Sequence, residues 1–98
     1  MSLPLVFHRD VHGEIDQAYR WYNQQRAGLG DDFLAAVEDV LDRIRQLPEI
    51  HQAIYREVRR ALPRRFPYGV HYRVHKDRVE VIAVQHSRRD PKEWQSRV

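Results

Sequence analysis

The residues of this chain best suited to chemistry lie in its last third, where arginines are interspersed with aromatic rings and histidine. Two arginine pairs, Arg64-Arg65 and Arg88-Arg89, flank two stretches with strand-like alternation. Guanidinium groups bind phosphate or carboxylate through paired hydrogen bonds, and they also stack on rings. The cluster therefore indicates binding to phosphate or to an acidic partner, the alternative being a solvated positive rim. The candidate contact residues are Arg64, Arg65, His86, Arg88, Arg89, Trp94 and Arg97.

His86 is the one member of this cluster that suits acid–base catalysis. Histidine is the residue type most often used for proton transfer, and Arg88 or Arg89 can hold a phosphate beside it. The alternative is that His86 only ends a central strand and hydrogen-bonds to backbone. For Trp94, packing of the indole on the sheet edge competes with stacking on a base. The residues alone leave both questions open.

Metal, thiol and cofactor chemistry find no support in the sequence. It contains no cysteine, which excludes disulfides, thiolate zinc sites and cysteine nucleophiles. His71 and His75 have H-x3-H spacing, but on a strand they would stand about 13 Å apart, too far for one ion. No phosphate-binding glycine loop or dinucleotide fingerprint occurs. We expect neither a metal nor a cofactor.

Length and charge distribution limit the kind of protein that carries this cluster. Ninety-eight residues make one domain, 1–98, with a single core. Residues 1–55 carry five Arg/Lys against nine Asp/Glu, whereas residues 56–98 carry twelve against five. The basic half creates a positive field that attracts anions. No signal segment or membrane-length apolar run is found, so we expect a cytoplasmic protein without membrane association.

Apolar residues at helical spacing predict two helices in the first half of the chain. The first is predicted over 11–26, with Asp10 as its N-cap. The second is predicted over 31–47, with Asp31 or Asp32 as its cap. A glycine-containing turn joins them, so we expect an antiparallel helical hairpin.

Alternation with a period of two predicts strands in the rest of the chain and at its start. The last strand is apolar on both faces, which indicates a central strand covered on both sides. The predicted fold is α+β with the order β-α-α-β-β-β, a helical hairpin packed on a small, mainly antiparallel sheet, and a short basic C-terminal tail. The predicted strands are 3–9, 54–62, 66–75 and 78–86. The residues expected to be buried between helices and sheet are Phe33, Val37, Val40, Leu41, Ile44, Val70, Tyr72, Val81 and Ala83.

Several stretches together resemble the RelE/ParE family, the toxin subunits of type II toxin–antitoxin systems, a family that includes plasmid stabilisation proteins. They are WYNQQRAGLGDDF (Trp21–Phe33), the helix that ends at Pro48, RRFPYGVHYRV (Arg64–Val74) and VIAVQHSRRDPKEW (Val81–Trp94). The resemblance implies a helical hairpin on a small antiparallel sheet. It also implies one of two activities, since ParE-like members poison DNA gyrase and RelE-like members cleave messenger RNA on the ribosome.

The sequence is closer to the ParE-like branch. Gly69 stands where RelE-like ribonucleases have an arginine, and Trp94 lies nearest to their functional tyrosine. A glycine offers neither charge nor proton, and an indole is neither acid nor base. We therefore expect a toxin that binds an essential target of the gyrase type through the C-terminal cluster. The alternatives are a metal-independent ribonuclease that uses His86 and Arg88, and a degenerate, non-toxic family member.

The resemblance further implies a cognate antitoxin as partner. We expect Trp21, Tyr22 and Arg59 to contact it. The antitoxin is expected to be a small protein with an acidic, amphipathic C-terminal segment, because such segments fold on binding. The other partner is the target, either DNA gyrase or the ribosome with its messenger RNA.

Overall fold

The computed structural model describes residues 3–98, which form a helical hairpin packed on a five-stranded sheet. In chain order the elements are β1 (Leu5–Phe7), α1 (Val11–Gln25), α2 (Leu29–Gln46), β2 (Ala53–Tyr55), β3 (Val58–Ala61), β4 (Tyr68–Val74), β5 (Val79–His86) and α3 (Lys92–Gln95). The strand order is β1-β5-β4-β3-β2, with β1 parallel to β5 and the other pairs antiparallel. The predicted α+β class and helical hairpin are confirmed. The predicted domain begins with Met1 and Ser2, which lie outside the described residues.

The turn between the two long helices differs from the prediction. Gly28 is the N-cap of α2 and has a φ of 88°, a left-handed conformation that glycine adopts without steric cost. The helix thus begins at Leu29, and the predicted caps Asp31 and Asp32 lie within its first turn. In that position their negative carboxylates interact favourably with the positive end of the helix dipole. Asp10 does flank α1, but its side chain makes no capping hydrogen bond.

The apolar stripe of α2 forms the centre of the main core. Its side chains are buried against α1 and against one face of β4 and β5. Tyr22 of α1 lies over Phe33, with 5.3 Å between ring centroids, and both rings meet Phe66 edge to face. The buried members of this stripe are Phe33, Val37, Val40, Leu41 and Ile44.

The single strand predicted over 54–62 is wrong, because the chain reverses within it. Arg56 and Glu57 both have positive φ values, 45° and 65°, the conformation that a tight type I′ hairpin turn requires of its two central residues. The segment therefore forms two short antiparallel strands, β2 and β3. β2 forms an edge of the sheet that the sequence does not predict.

The predicted position of Ala83 is also wrong, since it is buried on the opposite face of the sheet. In the β4–β5 pair, Tyr72 lies opposite Val81 while His71 lies opposite Ala83, so Ile82 is an extra residue. Such a bulge reverses the inward–outward alternation of the residues that follow it. Val81 thus faces the helices, whereas Ala83 joins a second, smaller core.

The second core covers the face of the sheet that the helical hairpin leaves open. Trp94 of α3 packs there on His71, with ring centroids 4.5 Å apart and an interplanar angle of 27°. β5 is accordingly covered on both faces, as its apolar sequence predicts. The buried members are Val58, Ile82, Ala83 and Trp94. Within residues 3–98, no helix is both long and apolar enough to cross a membrane.

Candidate functional site

The candidate site lies at the end of the sheet where β4 begins and β5 ends. Tyr68 pairs with His86, and the Ser87 N–H donates to the Pro67 carbonyl oxygen at 2.8 Å. Antiparallel pairing therefore brings the segment before β4 to the segment after β5. The segment before β4 contains Arg64 and Arg65, and the segment after β5 contains Arg88 and Arg89. All four arginines are exposed. We call these four residues the arginine rim.

Two members of the arginine rim have acidic neighbours. Arg65 lies 3.6 Å from Asp32 of α2, and Arg89 lies 2.7 Å from Glu93 of α3. All four of these side chains are substantially exposed, so the pairs are loosely held and screened by solvent. Arg64 and Arg88 make no ion pair within residues 3–98. The rim therefore retains positive charge that a ligand or partner can use.

His86 lies between the arginine rim and the sheet. Its Nδ1 accepts a hydrogen bond from the Arg88 backbone N–H at 3.0 Å, and its ring meets Tyr68 edge to face at 5.3 Å. Because Nδ1 is an acceptor, the neutral ring carries its proton on Nε2, which is then a donor. The backbone hydrogen bond fits a role in ending the strand, and the Nε2 donor also suits contact with an anion.

A groove on the helix side of the site has a volume of about 430 Å³. We call it the helix groove. Trp21 stands at its side with 53% of its surface exposed and contacts Tyr22 edge to face at 5.1 Å. An exposed tryptophan beside an apolar groove is typical of a protein-contact surface. The groove is lined by Glu14, Gln17, Ala18, Trp21, Tyr22, Pro67, Tyr68, Val84, Gln85, His86 and Arg89.

A second cavity of about 240 Å³ lies on the other face of the sheet. We call it the sheet cleft. At Gly69 a Cβ atom would come within 2.9 Å of His71 Cε1 and 3.0 Å of Arg60 Cδ. Any side chain there, including the arginine of the ribonuclease branch, would displace His71 or Arg60. The cleft is lined by Arg60, Leu62, Gly69, His71, Gln85, His86, Ser87, Arg89, Pro91 and Trp94.

Trp94 and Arg97 are largely buried, unlike the four residues of the arginine rim. Trp94 is 5% exposed and forms a wall of the sheet cleft. The Arg97 guanidinium donates to Glu14 Oε2 at 2.8 Å and to the Ile82 carbonyl oxygen at 2.9 Å. Both residues hold the C-terminal segment against the sheet. Their proposed role as target contacts stays a prediction.

Glu14 is an organising residue that the sequence did not single out. Its carboxylate accepts hydrogen bonds from the Val84 N–H at 3.0 Å and from Gln85 Nε2 at 2.7 Å, in addition to those from Arg97. It therefore joins α1, the end of β5 and the C-terminal segment. No local signal marks it, because its partners lie at least 70 residues away along the chain.

The three expected antitoxin contacts do not lie together. Trp21 and Tyr22 both line the helix groove. Arg59 lies on β3 and donates through its NH1 to the carbonyl oxygens of Glu49 and His51, at 3.0 and 2.6 Å. These bonds fix the loop that follows α2. Arg59 is therefore not among the residues that line the groove, although its strand neighbours β4 in the sheet.

The two histidines with metal-like spacing have different partners. His75 Nε2 lies 2.9 Å from Glu80 Oε1, while His71 stacks on Trp94. Burial, helped by nearby Arg60, lowers the pKa of His71 to about 4, so its ring is neutral at pH 7. Within the described range, no group of three or more His, Cys, Asp or Glu residues is placed to hold a metal ion.

Comparisons with known proteins agree with this fold. A sequence model of the family described as ParE toxin of type II toxin-antitoxin system, parDE, matches residues 5–91. Among solved structures, the chain is similar to one described as chromosomal ParDE TA system from P. aeruginosa, with a TM-score of 0.66 and 18% identity over 87% of this chain and 96% of that chain. That likeness concerns the fold alone, and no curated protein matches the sequence significantly. Because the family model spans most of the chain, the protein belongs to the ParE toxin family of type II toxin–antitoxin systems.

Proposed function

We propose that this protein is a toxin that acts by binding an essential target of the DNA gyrase type, and that a cognate antitoxin neutralises it. Membership of the ParE toxin family supplies the class. The observation that carries the binding mechanism is the arginine rim, where Tyr68–His86 pairing brings two exposed arginine pairs to one end of the sheet. Clustered exposed arginines favour association with a phosphate-rich or acidic surface and accelerate it.

The residues that line the sheet cleft support a toxin that acts by binding rather than by RNA cleavage. Metal-independent cleavage requires groups that move protons and stabilise a negatively charged transition state. Gly69 contributes no side chain, and Trp94 is buried as a cleft wall. His71 is neutral and has a pKa of about 4, well below that of a base poised for physiological pH.

The helix groove is the proposed binding site for the antitoxin. It combines apolar walls with exposed Trp21, and Arg89 lies at its edge. An amphipathic segment can place apolar side chains in the groove while its acidic residues face the arginine rim. Neutralisation follows directly in this arrangement, because the antitoxin covers part of the surface that the target needs.

Induced expression in a bacterial host tests the proposed function. A gyrase-type toxin is expected to trigger the DNA damage response while bulk transcripts remain intact. Purified protein is expected to inhibit DNA supercoiling by gyrase in vitro. Normal growth of the host, with full-length soluble protein present, would contradict the proposal and point to a non-toxic family member.

A ribosome-dependent ribonuclease is the second candidate, and one observation favours it. His86 has its Nε2 proton available and borders both cavities together with Arg89. An imidazole beside a guanidinium can protonate a leaving oxygen while the arginine holds the phosphate. Arrested translation with transcripts cut at discrete positions would support this candidate and would contradict gyrase poisoning.

A further inference from the structure

The helix groove contains two tyrosine side chains whose hydroxyls have no acceptor. Tyr22 of α1 and Tyr68 of β4 both line it, with 6.1 Å between their ring centroids. Within residues 3–98, the tyrosine hydroxyl that does hydrogen-bond is that of Tyr72. Neither groove hydroxyl belongs to the buried polar atoms that lack a partner in this range. Both are therefore accessible to solvent and free to donate to a ligand.

The two hydroxyls interact with each other and with Arg89, which lines the same groove. Burial raises the pKa of Tyr22, and the Tyr68 hydroxyl raises it further. Burial also raises the pKa of Tyr68, while the Arg89 guanidinium acts in the opposite direction. Because electrostatic interaction weakens with distance, these effects agree with a common position at the end of the groove. Both hydroxyls stay protonated at pH 7 and are hydrogen-bond donors.

Arg89 keeps most of its donors available to a partner. Its Nε lies 2.7 Å from Glu93 Oε2, whereas its two terminal nitrogens have no partner in the part of the chain that the structure describes. The side chain is 48% exposed, so these nitrogens can turn toward the groove. His86 adds its Nε2 donor at the same place. The end of the groove next to the arginine rim is thus rich in donors.

The one acidic residue that lines the groove does not use these donors. Glu14 accepts hydrogen bonds from the Val84 N–H, from Gln85 Nε2 and from Arg97, so its carboxylate is already satisfied. Arg97 also offsets its negative charge. The free donors at the end of the groove therefore require acceptors from outside the chain, and the nearby arginines favour acceptors that carry negative charge.

We propose that Tyr22, Tyr68 and Arg89 together bind a carboxylate side chain of the antitoxin, at the point where the helix groove meets the arginine rim. Two phenol hydroxyls and a guanidinium donate to the carboxylate oxygens, and hydrogen bonds to an ionised group are the stronger kind. The apolar walls beside Trp21 receive the apolar side chains that flank this carboxylate. The inference rests on the proposed binding of the antitoxin in the groove and adds the chemical group that is recognised there.

Removal of single hydroxyls tests the proposal on the side of the toxin. Tyr22→Phe and Tyr68→Phe keep the rings, and each is expected to weaken the affinity for the separately purified cognate antitoxin about tenfold in calorimetry, because a hydrogen bond to a charged group is lost. Tyr19→Phe is the matched control, since it removes a hydroxyl of α1 that does not line the groove. Thermal unfolding shows that each variant is folded. Equal affinities of the wild type and both groove variants would overturn the proposal.

Neutral replacements in the antitoxin identify the carboxylate. Each aspartate or glutamate of its binding segment is changed singly to asparagine or glutamine, which keeps the size of the side chain and removes its charge. One replacement is expected to weaken binding about as much as the double variant Tyr22→Phe with Tyr68→Phe. Because the same hydrogen bonds are removed from either side, the two losses should not add when the variants are combined. Additive losses for every acidic position would overturn a direct contact.

The outcomes separate this inference from the proposed function. Weaker binding in Trp21→Ala, with full affinity in both phenylalanine variants, would overturn the carboxylate site and leave the groove as the binding site of the antitoxin. No binding of the antitoxin to the wild type would overturn both. Loss of growth arrest in the double phenylalanine variant, with unchanged affinity for the antitoxin, would overturn the antitoxin as the source of the carboxylate and assign that contact to the target.

Discussion

Glu14 in the first turn of α1 and Arg97 in the C-terminal segment form a two-point ion pair between residues 83 positions apart in sequence. The Arg97 NH1 and NH2 atoms donate to Glu14 Oε1 and Oε2 at 3.2 and 2.8 Å. Only 13% of the arginine side chain and 11% of the glutamate side chain are exposed. Arg97 also donates to the Ile82 carbonyl oxygen, and Glu14 also accepts from the Val84 N–H and from Gln85 Nε2. This pair holds α3, including Trp94, against the face of the sheet opposite the helical hairpin.

The first prediction concerns the stability that this ion pair provides. Arg97→Met leaves Glu14 as a largely buried, unpaired charge, which is expected to cost about 3 kcal/mol of unfolding free energy. Urea unfolding at pH 7 measures the loss. Arg20→Met is the control, because Arg20 pairs with Asp16 on the surface and should lose no more than about 0.5 kcal/mol. Equal losses in the two variants would show that the Glu14–Arg97 pair is as hydrated as a surface pair.

The second prediction is a dependence of stability on pH that originates at His71. Burial, with a smaller effect of Arg60, lowers its pKa from 6.5 to about 4 in the folded protein. Between these values the unfolded chain binds a proton that the folded chain does not. The stability contributed by neutral His71 is therefore complete above about pH 6.5 and is lost as the pH falls toward 4, by up to about 3 kcal/mol.

Comparison with His71→Phe isolates this effect from the other titrating groups. The unfolding free energy of the wild type should fall more steeply between pH 7.5 and pH 4.5 than that of the variant, as measured by urea titration at each pH. The comparison is needed because burial also lowers the pKa of His51, which the variant retains. Parallel curves for both proteins would refute a neutral, buried His71.

The helices follow from the sequence because their determinants are local. Apolar residues at a spacing of three and four fix which face of α2 is buried, and Phe33, Val37 and Leu41 all lie on it. The sequence predicts that α2 begins at residue 31 rather than at Leu29, because two aspartates are a stronger local signal than Gly28. The left-handed φ of that glycine becomes evident only from the backbone.

The errors in the sheet and the site have non-local causes. The reversal at Arg56–Glu57 lacks the Asn-Gly chemistry that marks such turns in a sequence. The bulge that turns the Ala83 side chain to the other face of the sheet arises from the pairing of β5 with β4. The alternation of residues within β5 alone does not reveal it. The sequence does not distinguish Arg97 from the surface arginines, because its partner, Glu14, lies at the other end of the chain.

The third prediction tests the core side of α2. Leu41 is buried in the main cluster, so Leu41→Ala should reduce the unfolding free energy by about 2–5 kcal/mol. Leu47→Ala is the matched control, since Leu47 lies one to two turns further along and is 57% exposed. Its expected loss is below about 1 kcal/mol. A larger loss at position 47 than at position 41, in denaturant unfolding, would place the core on the wrong face of the helix.

The fourth prediction concerns the helix groove as the antitoxin seat. Trp21→Ala should weaken the affinity for the cognate antitoxin about 30-fold or more, because tryptophans at the centre of an interface contribute about 2 kcal/mol or more to binding. The affinity is measured by calorimetry after separate purification. Leu62→Ala, which removes an equally exposed apolar side chain outside the groove, should leave the affinity unchanged. Similar affinities of the wild type and both variants would show that the antitoxin binds outside the groove.

The last prediction separates a functional arginine rim from a solvated one. Arg88→Ala combined with Arg89→Ala should abolish growth arrest while changing the unfolding free energy by less than about 1 kcal/mol. The small stability effect is expected because, among residues 3–98, the only side-chain ion pair lost is Arg89–Glu93, which is exposed. The hydrogen bond from Arg88 to His86 Nδ1 uses the backbone N–H and survives. Growth curves after induction, with protein levels matched by immunoblot, give the result.

The control for this double variant is Arg43→Ala combined with Arg45→Ala. It removes the same charge and two exposed ion pairs, those with Asp39 and Asp42 on the outer face of α2. Toxicity should persist in this control, because net charge is lowered equally while the rim stays intact. Loss of toxicity in both double variants would assign the effect to overall charge. Full toxicity of the variant at positions 88 and 89 would leave the arginine rim as a solvated edge of the sheet, with target contact elsewhere.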